Sequence, residues 1–403
     1  MKNLDILYGS SLKLVHGVNK VTESLLVGKR IFETSGIKLR KIYASDAIIN
    51  CSREDKLPIG QFGNASVNSL SRKIRVFLKT RLLVGIPFLV YLRYLITVMA
   101  PAKKVVAGYL SNQEEPADLI LFQDFNTAYH YLRKRENLQI KTAIISHSTE
   151  DLFHQLALSY PEFSGTVFES KIREKQSYVL ENIDKIIFVS KQPVEEFRLK
   201  YGDKVDFVYN GLEDISYRGH QSKNHGTGNV SFICVGSISE RKGQDILIEA
   251  MKLVTPELRA KAKVYFVGEG DLKNELKRRV NEYGLDQNFE FLGLRSDVKD
   301  LLTEVDCYVL PSRNEGLPIA IIEALREGLY IIASDVGGIP EMLNEAYSKL
   351  VKPEANELKN ALEDVLKGEV NFEANSLKAR QAFLEIFSLN IMIDKYASIL
   401  NKL

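Results

Sequence analysis

Cysteine is scarce in this sequence. The three cysteines, Cys51, Cys234 and Cys307, are odd in number and far apart, and no CxxC pair or Cys/His cluster occurs. We therefore expect neither a disulfide framework nor a structural zinc site. A reducing, cytosolic compartment fits this cysteine usage best.

An excess of either charge is also lacking. The chain has 54 Lys and Arg against 52 Asp and Glu, which gives a formal net charge of +2. This balance favours neither a nucleic-acid-binding protein nor one with an acidic tail. The N-terminal stretch MKNLDILYGSS has too few apolar residues for a signal peptide, and it instead predicts a strand from Leu4 to Tyr8.

One long interval lacks acidic residues altogether. Between Asp55 and Glu114 there is no Asp or Glu. The same interval is rich in cations, namely Lys56, Arg72, Lys73, Arg75, Lys79, Arg81, Arg93, Lys103 and Lys104. At its centre lies the apolar run LLVGIPFLVYLRYLITVMA, residues 82–100.

Three explanations of this apolar run are open. A bilayer-spanning helix needs about 20 apolar residues without charge, and Pro87, Arg93 and Thr97 interrupt the run. A core helix with a solvated basic flank is the second explanation. The third, which we favour, is a basic apolar surface at residues 72–104 that docks on anionic lipid, because a merely solvated face normally mixes both signs of charge.

Strands and helices alternate throughout the second half of the chain. The apolar runs VSFICVG, KVYFVG, NFEFLG, CYVLP and YIIASDV each precede a helical pattern. This alternation predicts a doubly wound parallel sheet, in which ligands bind in the loops that follow the carboxyl ends of the strands. The first half shows the same alternation less regularly, with predicted strands at LDILY, ADLILF, KTAIIS, DKIIFVS and KVDFVYN.

A chain of 403 residues is long for a single core, so we expect two domains. The polar stretch RGHQSKNHGTGN, residues 218–229, has no periodicity and predicts a linker. It separates a first domain at 1–217 from a second domain at 230–387. A helix at about 388–403 is expected to pack back on the first domain.

The stretch SRNEGLPIAIIEALREG, residues 312–328, predicts a helix with an uncapped start. Pro318 suits the first helical position, because its missing N–H would be unpaired there anyway. Leu317 before it has no side-chain acceptor, so the N–H groups of Ile319 and Ala320 need another partner. Water would serve, and so would an external anion, which the helix dipole favours.

Two glutamates accompany this helix, Glu315 just before it and Glu323 inside it. At 1.5 Å per residue they are about 12 Å apart along the axis. That separation suits a ligand with hydroxyls at both ends and phosphate between them, the layout of a nucleoside diphosphate sugar. A salt bridge or a solvated face would be the commoner explanation of either glutamate alone. The expected cations for the phosphates are Arg241 and Lys242, in the loop after the first strand of this domain.

These residues resemble glycosyltransferase family 4, which comprises retaining enzymes with the α/β GT-B fold of two facing Rossmann-like, doubly wound parallel-sheet domains with a cleft between. The segments that carry the resemblance are VGSISERKGQDILIEAM, VGEGDLKNEL, FEFLGLRSDVKDLL, SRNEGLPIAIIEALREG with its E-x7-E spacing, ASDVGGIPEML and the tail FSLNIMIDKYASIL. In the first half, IDKIIFVSKQPVEEF and VYNGLED are similar to the end of that family's N-terminal domain.

The resemblance implies a role for each matching residue. Glu323 would hold the ribose hydroxyls and Glu315 the transferred sugar. Arg241 and Lys242 would hold the diphosphate and stabilise it as the leaving group. His147, in IISHSTEDL, would face the sugar as a further catalytic residue. The other residues placed at the donor are Gly316, Leu317, Pro318, Ile319, Gly236, Gly268 and, near the base, Arg295.

Two positions depart from the family's pattern. A glycine pair near the N-terminus usually approaches the diphosphate, and here HGVNKV offers only Gly17. The basic residue usual after the first glycine of the second domain is Ser237, so the phosphate clamp would rest on Arg241 and Lys242. No Asp-x-Asp pair is visible, so we expect no metal and no cofactor, and the leaving phosphate would take the acceptor's proton.

The resemblance therefore implies a retaining hexosyl- or N-acetylhexosaminyltransferase with a nucleoside diphosphate sugar as donor, UDP being favoured. The expected acceptor is a lipid-linked glycan in bacterial surface polysaccharide synthesis, and the expected location is the inner face of the cell membrane. Two alternatives stay open. One is a soluble transferase acting on a small molecule or a protein, and the other is a non-catalytic subunit that keeps the scaffold for binding.

Overall fold

The computed structural model describes residues 1–12, 17–51, 87–112, 116–147, 160–215, 217 and 228–403. The chain divides into two compact units, one formed by Met1–Val208 with Met392–Leu403 and the other by Tyr209–Ile391. Each unit is built around a sheet, in agreement with the alternation of strands and helices in the sequence.

Among the described residues of the first unit, seven strands form one sheet in the order β3-β2-β1-β4-β5-β6-β7. β3 runs antiparallel to β2 and the other neighbours are parallel. The strands are β1 Lys2–Tyr8, β2 Ile37–Ala44, β3 Ile48–Asn50, β4 Leu119–Phe122, β5 Lys141–Ser146, β6 Lys185–Phe188 and β7 Val205–Phe207. Their apolar side chains form the buried core of this unit together with side chains of the covering helices.

Sequence reasoning missed β2 and β3. The sequence of β2, IKLRKIYA, carries three cations that hide its apolar periodicity. One of them, Arg40, reaches the neighbouring strand and pairs with the buried Asp5 at 2.6 Å. The charged side chain therefore has a partner inside the sheet that the sequence pattern does not reveal.

The described helices of the first unit are Gly17–Val27, Lys29–Thr34, Pro87–Tyr94, Ala100–Ser111, Phe125–Leu132, Val167–Asn182, Val194–Tyr201 and most of Leu389–Asn401. A π-helical turn, Leu95–Met99, joins Pro87–Tyr94 to Ala100–Ser111, so these residues continue as one helix. The remainder of the predicted lipid-docking segment, residues 72–86, lies outside the described residues. No helix in the described ranges has both the length and the apolar character needed to cross a bilayer.

The second sheet has six described strands in the order β10-β9-β8-β11-β12-β13, all parallel. The strands are β8 Val230–Val235, β9 Ala262–Val267, β10 Phe289–Gly293, β11 Cys307–Leu310, β12 Tyr330–Ser334 and β13 Ser348–Val351. Helices of this unit cover the sheet, as expected when strands are continuous apolar runs. They are Gln244–Leu253, Pro256–Arg259, Lys273–Glu282, Val298–Thr303, Ile319–Arg326, Ala355–Leu366 and Phe372–Ala382.

The residues between the two sheets pack on the second unit. Leu212 forms a β-bridge with Ser388, and Asp214 accepts a 2.5 Å hydrogen bond from Arg380. The structural boundary thus falls after Val208, whereas the sequence placed it at residue 217. Most of the predicted linker, residues 218–227, lies outside the described residues.

The strand order sets the place of a ligand site in the second unit. The chain runs outward from β8 to β10 and then returns to the other side of β8 with β11. At such a reversal the loops after the two central strands diverge and leave a crevice at the carboxyl ends. A ligand site of this unit is therefore expected in the loops that follow β8 and β11.

Candidate active site

The loops after β8 and β11 approach each other at Gly243. This glycine has a φ of +67°, and a Cβ atom there would lie 1.9 Å from the carbonyl oxygen of Pro311. Only glycine fits both conditions. Next to it, the N–H of Arg313 donates to the carbonyl of Arg241 at 2.8 Å. The sequence motif KG thus brings two loops into backbone contact.

Glu315 lies at the centre of this contact and is 5% exposed. Its Oε1 is 2.6 Å from Nζ of Lys242 and accepts a 2.8 Å hydrogen bond from the Ser312 hydroxyl. Its Oε2 accepts from Arg241 at 2.8 Å. Burial alone would raise the pKa of this carboxyl, but Lys242 and Arg241 hold the pKa below its ordinary value of 4.5. Glu315 is therefore a buried carboxylate.

The structure brings together three residues that the sequence assigned to different parts of a ligand. Arg241 and Lys242 were expected on phosphates and Glu315 on a sugar, and both cations contact Glu315. Lysine and arginine carry several N–H donors, so the same cations can contact Glu315 and an anion together. Arg241 is the more accessible of the two, since 43% of its side chain is exposed against 11% for Lys242.

A second ion pair braces the same loops and was not anticipated. Arg313 binds both carboxylate oxygens of Asp245, at 2.8 and 2.6 Å, and donates to the carbonyl of Glu240 at 2.7 Å. Asp245 lies in the first turn of the helix Gln244–Leu253. This helix follows the loop after β8, which carries Lys242 and is called the Lys242 loop below. No sequence signal points to this pair, because the two residues are far apart in the chain.

Gln244 holds the start of the Lys242 loop. Its side-chain N–H donates to the carbonyl of Ser237 at 2.9 Å, and its Oε1 accepts from the N–H of Ser239 at 3.3 Å. The side chain is buried. The loop after β8 is therefore held at both ends, by Gln244 and by the approach at Gly243.

Replacing Gln244 with alanine is expected to destabilise the protein by about 1–2 kcal/mol, because two backbone groups lose their partner. Thermal unfolding should record a drop of about 2–4 °C per kcal/mol for a unit of this size. The matched control is Gln381→Ala, whose exposed amide bonds to Glu385 on the surface. Equal midpoints for the two variants would contradict this role of Gln244.

The helix Ile319–Arg326 starts one residue later than the sequence predicted. Pro318 is the N-cap residue, not the first helical residue, because its ψ of 116° is still extended. No side chain caps this N-terminus, as expected. The preceding loop is held through its carbonyls, since Leu317 accepts from Asn210 at 3.3 Å and Gly316 accepts from the N–H of Gly338 at 3.0 Å. These two hydrogen bonds fix the backbone just before the start of the helix.

Glu323 lies in the second turn of this helix and is buried, with 8% exposed. Tyr308 lies in β11, the strand that precedes this helix. Burial raises the pKa of the Tyr308 phenol, and the charges of Glu323 and Glu315 raise it further. Both carboxylates therefore act on the same side chain of β11, although Glu315 lies in the loop and Glu323 in the helix.

The other predicted donor residues of this unit lie on the neighbouring loops. Gly236 and Gly268 follow β8 and β9, and a Cβ atom on Gly268 would lie 1.9 Å from the carbonyl oxygen of Gly236. Gly236 is itself next to the Lys242 side chain. Arg295 follows the edge strand β10 and pairs with Asp297 at 2.7 Å. Within the described ranges it makes no hydrogen bond to Glu315.

The two candidates in the first unit follow its central strands. His147 comes directly after β5, and its Nε2 is 3.0 Å from Oε1 of Gln123, which follows β4. Gln123 is buried, and sequence reasoning missed it. Gly17 opens the helix Gly17–Val27, while the preceding residues 13–16 lie outside the described ranges. Among described residues of the chain, no group of three or more His, Cys, Asp or Glu is arranged to hold a metal ion.

The second unit is similar in sequence to known glycosyltransferases. Residues 218–382 match the family model described as Glycosyl transferases group 1. The uncharacterized glycosyltransferase MJ1059 of Methanocaldococcus jannaschii is 39% identical over 104 residues, which are 26% of this chain and 25% of that protein. The O-antigen biosynthesis glycosyltransferase WclY of Escherichia coli is 21% identical over 278 residues, which are 67% of this chain and 73% of that protein. The matches span a quarter to about half of the length of the first curated relatives.

Solved structures agree with the fold over the whole chain. The crystal structure of Anabaena Alr3699/HepE in complex with UDP superposes with a TM-score of 0.67 at 17% identity, and the match covers 100% of each chain. The fold is therefore GT-B, with two parallel-sheet α/β domains, as the sequence predicted.

Proposed function

We propose that this protein is a retaining glycosyltransferase that moves a sugar from a nucleoside diphosphate sugar to a lipid-linked glycan in bacterial surface polysaccharide synthesis. One observation carries the proposal. The buried carboxylate of Glu315 is held by Lys242 and Arg241 beside an uncapped helix N-terminus, with Glu323 in the second turn of that helix. The group 1 family match and the polysaccharide-related name of a relative support it.

Each group has a task that follows from its chemistry. The uncapped helix start and the two cations attract the diphosphate, because the helix dipole and both side chains are positive there. Glu323 accepts hydrogen bonds from the ribose hydroxyls. Glu315 accepts from hydroxyls of the transferred sugar while it keeps its contacts with the cations.

The proposed reaction needs no side-chain nucleophile. The bond between the anomeric carbon and the diphosphate oxygen breaks, and the acceptor oxygen forms its bond on the same face of the sugar. The acceptor's proton moves to the leaving phosphate oxygen. Lys242 and Arg241 stabilise the negative charge that grows on the diphosphate, the type of term that usually dominates such catalysis.

The remaining assignments rest on the family resemblance. We propose a UDP-sugar as donor, catalysis without a metal ion, and peripheral attachment to the inner face of the membrane through residues 72–104. The roles of His147 and Gly17 in the first unit stay predictions.

Thermal-shift measurements with UDP-, GDP- and dTDP-sugars test the donor assignment. A ligand that binds only the folded protein stabilises it by about 2.7 kcal/mol at 100 times its Kd. We expect the UDP-sugars to raise the unfolding midpoint most and the GDP-sugars less. A midpoint unchanged by all three nucleotide classes would refute a nucleoside diphosphate sugar as donor.

A further inference from the structure

An open groove lies between the helices Phe125–Leu132 and Val167–Asn182 of the first unit. Its volume is about 560 Å³. Three cations and two tyrosines line it, namely Arg133, Lys171, Lys175, Tyr129 and Tyr178. Two carboxylates, Glu174 and Glu181, are also at its edge, and both are exposed. The lining thus combines an excess of cations with aromatic surface.

The cations are held over tyrosine rings. Nζ of Lys175 lies 5.7 Å from the ring centroid of Tyr129 and 6.0 Å from that of Tyr91. Lys171 lies 6.0 Å from the Tyr91 ring, and Arg133 donates to the Tyr129 hydroxyl at 3.1 Å. Within the described ranges, no carboxylate forms an ion pair with these three cations. Contacts with a ring face position a cation but leave N–H donors for an anion.

The positive charges crowd one another. Burial lowers the pKa of Lys175, and the charge of Lys171 lowers it further, against an opposing effect of Glu174. Burial also lowers the pKa of the adjacent His130 to about 4, with contributions from Lys175, Lys103 and Lys134. A bound anion would relieve this repulsion.

An apolar ridge lies on the helix that carries Tyr91. Phe88, Leu92 and Ile96 follow one another at helical spacing, and 63%, 45% and 53% of their surfaces are exposed. Single exposed apolar residues are ordinary, but three on one face of a helix form a continuous line. Tyr91, on the same helix, stacks on Phe168 at 4.5 Å and lies beneath Lys171 and Lys175. Tyr91 therefore connects the helix that carries the ridge to the two lysines of the groove.

The lysines and the apolar ridge together favour an anionic membrane surface as the partner. The ridge belongs to the interval without acidic residues between Asp55 and Glu114, and two exposed lysines, Lys103 and Lys104, follow it on the same helix. Helices with an apolar face flanked by lysine and arginine lie in the interface of anionic membranes. A polar protein surface would leave the three apolar side chains in contact with water or with polar groups.

We propose that the groove binds the phosphate of an anionic phospholipid headgroup between Arg133, Lys171 and Lys175, while Phe88, Leu92 and Ile96 enter the acyl boundary of the same leaflet. The inference deepens the proposed function and rests on its lipid-linked acceptor. It assigns membrane contact to described residues beyond the acid-free interval, on the helix Val167–Asn182.

Partitioning of the full-length protein onto vesicles tests the assignment. We would compare vesicles of phosphatidylcholine alone with vesicles that also contain phosphatidylglycerol. Each cation near an anionic surface contributes about fivefold in affinity. The double variant Lys171→Gln/Lys175→Gln is therefore expected to lose on the order of 25-fold in partitioning onto the anionic vesicles, with no such loss on the neutral ones.

Two further variants sharpen the test. Lys349→Gln/Lys378→Gln removes the same net charge from exposed positions in the second unit, and it should partition like the wild type. Phe88→Ser/Ile96→Ser should weaken partitioning with all cations in place. Wild-type partitioning by the groove variant, or an equal loss in the control, would overturn the headgroup site. Wild-type partitioning by the ridge variant would overturn the insertion of the ridge.

The outcome can be separated from that of the proposed function. Every variant should keep the stabilisation by a UDP-sugar, which also shows that it folds. If the wild type binds anionic vesicles through the groove but no nucleoside diphosphate sugar stabilises it, the donor assignment fails and the headgroup site stands. If the donor binds but no variant alters partitioning, the headgroup site fails alone.

Discussion

The variant Lys242→Met should transfer sugar at a rate on the order of 10²–10³-fold below that of the wild type. Methionine keeps the length of the side chain and removes its charge. The ammonium group lies 2.6 Å from Glu315 at the end of the central strands, where the proposal places the leaving diphosphate. A positive group placed in advance where charge develops acts most strongly in such a site, because little water screens it.

The same variant should also lose stability. Glu315 is 5% exposed, and without Lys242 it loses the cation 2.6 Å from its Oε1 and keeps Arg241 as a charged partner. Removing one member of a buried ion pair costs about 3 kcal/mol or more. The matched control is Lys273→Met, because Lys273 pairs with Glu269 at 2.5 Å on the surface, where 47% of the glutamate side chain is exposed. An exposed pair contributes about 0–1 kcal/mol, so thermal unfolding should separate the two variants clearly.

The pH dependence of stability provides an independent check on the Glu315 pair. The pKa of Glu315 is depressed in the folded protein below its ordinary value of 4.5. The stabilisation from this group is therefore complete above pH 4.5 and is lost as the pH falls through the lower folded pKa. Lys242→Met should reduce this loss of stability in acid, because without the ammonium group the pKa of the carboxyl is depressed much less.

The transfer rate tests the catalytic role of Lys242 separately. If Lys242→Met transfers sugar as fast as the wild type, Lys242 has no catalytic role, whatever the stability of the variant.

The variant Glu323→Gln should weaken donor binding by on the order of 10–100-fold, with a smaller effect on the rate at saturation. A hydrogen bond to a charged group contributes about 1.5–3 kcal/mol, and the amide keeps the shape of the side chain without the charge. Glu323 lies in the second turn of the helix whose start is proposed to hold the phosphates. The measurement is the KM for the donor sugar together with the Kd for the free nucleotide.

Glu327 at the end of the same helix is the matched control for this prediction. It is buried and pairs with Arg326 at 2.9 Å. Glu327→Gln should lower the unfolding midpoint and leave the donor KM unchanged. If Glu323→Gln behaves in the same way, the ribose assignment of Glu323 is wrong and its carboxylate is only structural.

Much of the second unit was predictable from the sequence. The runs VSFICVG, KVYFVG, NFEFLG, CYVLP and YIIASDV each coincide with an observed strand to within one residue at its start, because buried strands of a parallel sheet are largely apolar. The loop positions of Glu315 and Lys242 followed from those strands. The strands of the first unit were harder to predict from the sequence. Charged residues such as Arg40 interrupt the apolar pattern of β2, and Arg40 pairs with Asp5 on the neighbouring strand β1.

In the second unit, the sequence by itself determined which residues form strands, which loops follow them, and which acids, cations and glycines those loops carry. Only the tertiary structure decided which of these side chains meet. Arg241 and Lys242 form ion pairs with Glu315, and Arg313 forms one with Asp245. Lys175 lies within 6.0 Å of the rings of Tyr91 and Tyr129. Local periodicity is a property of neighbouring residues, so it encodes the elements. Contact between the loops after β8 and β11 depends on the order of strands in the sheet, which is set by packing among residues far apart in the chain.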